Sequence, residues 1–310
     1  MQADNDDFLV RSGIEYCMTF LAANPDYASC GGGVGGFSLH RGVGALADVT
    51  GVIQSLGSQY NDSYVHQDYS APSVHERVLQ HFSTGHTLFY NVFRASSLAT
   101  ILRECADIDF TDLRVHEIFF GARAKSLGKA KLDRGVISYI RQRGTSQSAA
   151  SMWRNTPPVP PDQETAAFAG VVARAAAMAD GFDADADADA FAAELRQIYT
   201  GIWRAELSNH HRTQRDLRVA GPAGSLKSAL VSLVAGSAIA LRRQWLRRLA
   251  RQSILDDLGR HGASPAYGEM FRRELAQIEA LLERPGFGEF VRRYAPELTG
   301  ASASAALRVS

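Results

Sequence analysis

The stretch Asn155–Pro161, NTPPVPP, carries four prolines in seven residues. No helix or strand continues through such a run, because proline lacks a backbone donor and clashes with the preceding turn. It divides the 310-residue chain in two. Before it, helical and β-rich segments alternate. Ser73 to Phe82 places Val74, Val78, Leu79 and Phe82 on one helical side, Thr87 to Phe93 is β-rich, Ser96 to Cys105 and Val115 to Leu127 are helical, and Val136 to Ile140 is a short β run. After it the chain turns rich in alanine and arginine, with helices expected near 164–180, 189–208, 225–259 and 266–284. The expected organisation is an α/β region over 1–154, a linker over 155–163 and a mainly α-helical region over 164–310.

Lys and Arg number 33, as do Asp and Glu, so no net field draws the chain to nucleic acid. Cys17, Cys30 and Cys105 are odd in number and form no CxxC pair, which argues against a disulfide framework or zinc site and for a reducing compartment. The acidic cluster Asp4-Asn5-Asp6-Asp7 sits where a signal peptide would need a basic and then an apolar stretch. A cytoplasmic location follows as the expectation.

That cluster runs straight into organised sequence. Ser12-Gly13-Ile14-Glu15 has the spacing of a capping box, and Ile14, Cys17, Met18 and Leu21 follow at helical intervals until Asn24-Pro25. In an extended segment, residues two apart share a side, so Asp4 and Asp6 would present their carboxylates together while Asp7 faces elsewhere. Such a pair suits Mg²⁺ or Mn²⁺, which take one or two protein carboxylates and fill the remaining positions with phosphate oxygens and water. The DxD pattern by itself is short and common.

Its context is more specific. DNDDFLVRSGIEYCMTFLAANPDYASCGG, with a DxD strand end, a helix and the phrase NPDY, resembles the middle of a GT-A-fold glycosyltransferase of the family-2-like kind. ERVLQHF at 76–82 and YNVFR at 90–94 are similar to the family's next helix and strand. His116-Glu117, followed by Arg123 and Leu127-Gly128-Lys129, resembles its acidic motif, and Tyr139-Ile140-Arg141-Gln142 the strand after it. The resemblance covers residues 3 to 150 and rests on order and spacing. It departs from the family in having His-Glu where Glu-Asp is usual, and in having three residues where a nucleotide-binding β/α unit precedes the DxD strand.

The resemblance implies a partial GT-A-like mixed sheet flanked by helices. It further implies transfer of a sugar from a nucleotide-diphosphate donor to a hydroxyl acceptor, in glycan or surface polysaccharide assembly. Asp4 and Asp6 would hold a divalent cation (Mn²⁺ or Mg²⁺), Asp7 and His116 would contact substrate, and Glu117 would be the general base, with Asp112 the alternative. The competing expectation is a non-catalytic remnant serving as a helical scaffold.

Other features point less far. GGGVGG at 31–36 fits a dinucleotide fingerprint in letters only, since no amphipathic helix follows; it is expected as strand and loop, near the acceptor. His75, His81 and His86 have no metal spacing. The Asp183–Asp189 alternation is expected to be a solvated linker ending in a helix cap. Leu230, Val234, Leu241, Trp245 and Leu249, with Arg242, Arg243, Arg247, Arg248 and Arg251, make 225–259 a basic amphipathic helix. Such a helix packs on a core or lies on the inner face of a membrane.

Overall fold

The computed structural model describes residues 8–40, 50–54, 68–84, 90–143, 157–183, 185–219, 255–256 and 258–282. In chain order the elements are β1 (Phe8–Leu9), α1 (Arg11–Ala23), β2 (Tyr27–His40), β3 (Thr50–Gln54), β4 (Asp68–Tyr69), α2 (Val74–Thr84), β5 (Val92–Phe93), α3 (Ala95–Ile108), α4 (Leu113–Ser126), β6 (Lys129–Arg143), α5 (Asp162–Asp180), α6 (Ala186–Val219) and α7 (Pro265–Leu282). The molecule is α/β, with one mixed six-stranded sheet flanked by helices. The path runs β1-β6-β2-β3, with β4 beside β6 and β5 beside β2. Among the described residues, only the β2–β6 pair is parallel.

The helices at 74–84, 95–108 and 113–126 match their apolar periodicity. Some elements differ in extent from expectation. The run around Val136 is part of a 15-residue strand, the glycine run, expected as strand and loop, is the interior of a 14-residue strand, and of the β-rich run ending at Phe93 only Val92–Phe93 is strand among the described residues. The glycines are explained by what crosses them. A Cβ on Gly31 would lie 2.0 Å from Asn91 Oδ1, and one on Gly32 would lie 2.7 Å from the Val136 carbonyl oxygen. Between Gly32↔Asp133 and Gly33↔Ile137 the register jumps, so residues 134–136 bulge from β6. Asp133 braces the bulge, accepting from the Gly135 amide at 2.9 Å and from the Tyr16 hydroxyl.

The NPDY phrase is a structural joint. Asn24 caps α1 and donates from its side chain to the Phe20 carbonyl at 2.8 Å. Arg94, at the end of YNVFR, donates to the carbonyls of Leu21, Asn24 and Tyr27, covering acceptors that a helix end leaves open. Asp26 pairs with Lys129 at 2.7 Å and the Tyr27 hydroxyl donates to Asp68 at 3.0 Å, joining β2 to β6 and β4.

The start of α1 corrects the capping-box reading. The N-cap is Val10, without a side-chain cap, and Ser12 lies inside the first turn. The cap comes from far along the chain: Glu274 of α7 accepts from the Ser12 amide at 2.9 Å and from its hydroxyl at 3.2 Å. Glu15, freed from that role, pairs with Arg11. A carboxylate at a helix N-terminus is favoured by the exposed amides and the dipole wherever in sequence it originates.

The main core joins both sides of the proline-rich stretch. Phe119, Phe120 and Val115 of α4 and Val78 and Phe82 of α2 share it with Phe168 and Val172 of α5 and Leu195, Tyr199 and Trp203 of α6. Trp203 Nε1 donates to the Pro157 carbonyl at 2.9 Å, fixing the linker to α6. Lys125 is fully buried in this region, with Nζ 2.6 Å from His81 Nδ1 and 4.1 Å from the centre of the Tyr69 ring. Burial holds its ammonium well below the usual lysine range. His81 is thus a core histidine, while His75 stands 3.7 Å from Glu194. A second core unites Val10, Ile137 and Ile140 with Tyr267, Phe271 and Leu275 of α7.

Asp180, last in α5, caps α2 by accepting from Ser73 Oγ and from the Val74 and His75 amides at 2.8 to 2.9 Å. Burial pushes its pKa up, but these donors and Arg77 outweigh it and hold the carboxyl below its ordinary value. Asp180→Ala is expected to cost about 1 kcal/mol in urea denaturation at pH 7. A depressed folded pKa gives stability that is present above the unfolded value and lost as pH falls through the folded one. The gap between wild type and variant should therefore narrow in acid below the ordinary aspartate range.

Only the start of the Asp183–Asp189 alternation behaves as the expected linker and cap, since α6 begins at Ala186 and takes Asp187 and Asp189 into its first turn. Asp183 accepts from the Asp185 and Ala186 amides at 2.9 Å, and its own amide donates to Asp187. Most of 225–259 lies outside the described residues, as do Asp4, Asp6, Asp7 and His86. No helix among the described residues is long and apolar enough to cross a membrane.

Candidate functional site

Of the residues singled out in the sequence, Asp112, His116 and Glu117 fall together on the opening turns of α4. Asp112 is the N-cap and accepts from the Arg114 amide at 2.9 Å. It also pairs with the Arg114 guanidinium, whose Nε lies 2.9 Å away. Burial pushes the Asp112 pKa up, yet the Arg114 hydrogen bonds and charge more than compensate, so the carboxyl sits below the usual aspartate range. A weak base already holding a helix end is poorly suited to taking a proton. Glu164, at the head of α5, fastens the same turn by accepting from the Thr111 and Asp112 amides at 3.2 and 3.3 Å.

His116 is half-buried, 5.6 Å from Phe110 and 6.4 Å from Phe120 between ring centroids. Burial lowers its pKa, so the imidazole is neutral at pH 7. Glu117 is half-buried too, and its charge acts on the Tyr199 hydroxyl of α6. Tyr199 is 2% exposed, and the charges around its hydroxyl come from Asp112, Glu206, Arg114 and Glu117. The Arg114 guanidinium lies 4.0 Å from the centre of the Trp203 ring. No family model, curated protein or solved structure matches the chain. The site therefore stands on its own geometry.

Sequence reasoning missed the α6 contribution. Tyr199, Trp203 and Glu206 lie at i, i+4 and i+7 of one helix, so they share a face. That spacing is present in the sequence, but a buried aromatic stripe at helical intervals reads as core, and for the rings that reading is correct. The remaining motif residues serve as scaffold. Arg123 makes two hydrogen bonds to Glu104 of α3, at 2.7 and 2.8 Å, and Gly128 is a close-approach position where a Cβ would lie 3.0 Å from that of Ala28.

The acidic cluster Asp4-Asn5-Asp6-Asp7 lies outside the described residues. Phe8, which follows the cluster, packs with the α7 core, whereas Val115 and Phe119 of α4 belong to the α5–α6 core. Among the described residues no three His, Cys, Asp or Glu side chains converge as a metal site.

Proposed function

We propose that the chain is a metal-dependent glycosyltransferase, moving a sugar from a nucleotide-diphosphate donor to an acceptor hydroxyl in glycan or surface polysaccharide assembly at the cytoplasmic side of the membrane. One observation carries the reading. β1 runs antiparallel to β6 with Phe8 opposite Ile140, and Gly35 of the parallel neighbour β2 also faces Ile140. The chain thus enters the sheet, directly after its DxD cluster, at the carboxyl end of the parallel pair. Ligands of open α/β sheets gather outside the carboxyl ends of such strands.

Asp4 and Asp6 are the residues that would hold Mn²⁺ or Mg²⁺, hard cations suited to a carboxylate pair and phosphate oxygens. The cation would neutralise charge on a departing nucleotide diphosphate. Glu117 is the carboxylate assigned to the acceptor's proton, since Asp112 is bound to Arg114 and weakened as a base. His116, uncharged at neutral pH, is assigned a hydrogen bond to the donor alongside Asp7. The arginine-rich 225–259 segment would rest on the inner membrane face.

Titration of nucleotide-sugars into the full chain, with and without Mn²⁺, tests the reading. Wild type should bind with metal, and Asp6→Ala should bind roughly tenfold or more weakly. Equal affinity in the two proteins, or none in either, would remove the donor site and favour the scaffold alternative.

A further inference from the structure

Lys125 of α4 and His81 of α2 meet at 2.6 Å, Nζ to Nδ1, and both residues are fully buried. The other side of the imidazole fixes what that contact is. His81 Nε2 lies 3.3 Å from the Ile118 carbonyl, and because a carbonyl only accepts, Nε2 carries the hydrogen. Nδ1 of the neutral ring is then the acceptor, and Lys125 donates to it. With both groups protonated, an imidazolium N–H would point into an ammonium at hydrogen-bond distance, away from water. The contact holds one extra proton at most.

The groups at the junction are titratable or charged on each element. Tyr69 of β4 sets the centre of its ring 4.1 Å from Nζ, and Arg77 of α2, itself buried, donates from Nε to the Lys125 carbonyl at 3.0 Å and brings a further positive charge. Asp180 of α5 acts on Arg77 while capping α2. Burial holds the Lys125 ammonium well below the usual lysine range, in the direction the geometry requires. We propose that the Lys125–His81 pair is a proton-operated latch, which closes α2 onto α4 while it carries one proton at most and parts when acid forces a second proton on it. The latch is independent of the glycosyl-transfer reading, and it bears on any activity of α4, the helix that carries His116 and Glu117.

Unfolding returns both groups to water, where below about pH 6.5 each takes a proton. Folding must then expel at least one of the two. The unfolded state binds more protons, so stability falls as pH falls, by about tenfold in the unfolding constant per pH unit for each proton expelled.

Urea denaturation of the full chain between about pH 8 and pH 5, wild type against His81→Asn, tests the latch. Asparagine can still accept from Lys125 but does not titrate, and the carboxylates common to both proteins cancel. The ratio of the wild-type unfolding constant to that of His81→Asn should be flat near pH 8 and rise about tenfold per pH unit below pH 6. Side-chain ¹⁵N NMR of the histidines gives a second reading. At neutral pH the wild-type His81 ring should carry its hydrogen on Nε2, and Lys125→Met should move the Nδ1 signal by removing its donor. A ratio constant with pH, or an Nδ1 signal indifferent to Lys125→Met, would overturn the proposal. So would a wild-type His81 ring that takes up its second hydrogen while the protein stays folded and Lys125 keeps its proton, a result that needs no variant to fold.

Discussion

On the proposed glycosyl-transfer reading, Glu117→Gln is expected to reduce sugar transfer by about 10² to 10⁴ in kcat/KM while nucleotide-sugar binding stays at the wild-type level. The amide keeps the size and hydrogen-bonding shape of the carboxylate but cannot take a proton. Asp112→Asn should divide differently. It keeps an acceptor for the cap on α4 but removes the charge paired with Arg114, so its main effect is a loss of stability of about 1 kcal/mol. Steady-state rates and denaturation midpoints on both variants make the comparison. A Glu117→Gln variant with wild-type turnover, or an Asp112→Asn variant that stays fully stable while losing turnover, would move the proposed base from Glu117 to Asp112.

The largest structural effect is expected from the smallest change, Gly13→Ala. Gly13 is in α1, where alanine normally favours the helix by about 1 kcal/mol. Here the added Cβ would lie 2.0 Å from the Ile137 carbonyl oxygen and 2.8 Å from the Ser138 Cα. Both neighbours are backbone of β6, held on one side by β1 and on the other by β2. Neither can retreat without breaking a ladder. A net destabilisation of about 3 kcal/mol or more is expected, because the clash exceeds the propensity gain. Chemical denaturation gives the value, and a variant as stable as wild type would show that α1 can lift off the sheet.

The same helix shows where sequence reading reaches and where it stops. Its body, from Ile14 to Leu21, is legible because apolar spacing reports local geometry. Its N-terminus is not, because Glu274 supplies the cap from 262 residues away and no local pattern encodes a distant partner. The glycine run of β2 is legible only in part for a related reason: five glycines suggest strand broken by loop until Asn91 and the β6 bulge are seen against them. At the candidate site, Asp112, His116 and Glu117 stand in the sequence as a cluster. Their division into a helix cap, a neutral imidazole and a carboxylate facing α6 depends on Arg114, on burial and on Tyr199. The first of these is two residues from Asp112, and the last is 82 residues from Glu117.

The proline-rich stretch looks like a place to cut, and the packing says what cutting there would do. Phe119 and Phe120 bury their rings against a wall that includes Phe168, Leu195 and Trp203. A fragment ending before Asn155 would present that surface bare to water and would be expected to clump rather than stand alone. Nor could the helices beyond it be exchanged for those of another protein as a detachable part. They are inherited together with the sheet, and a change on α6 is also a change in the surroundings of Glu117.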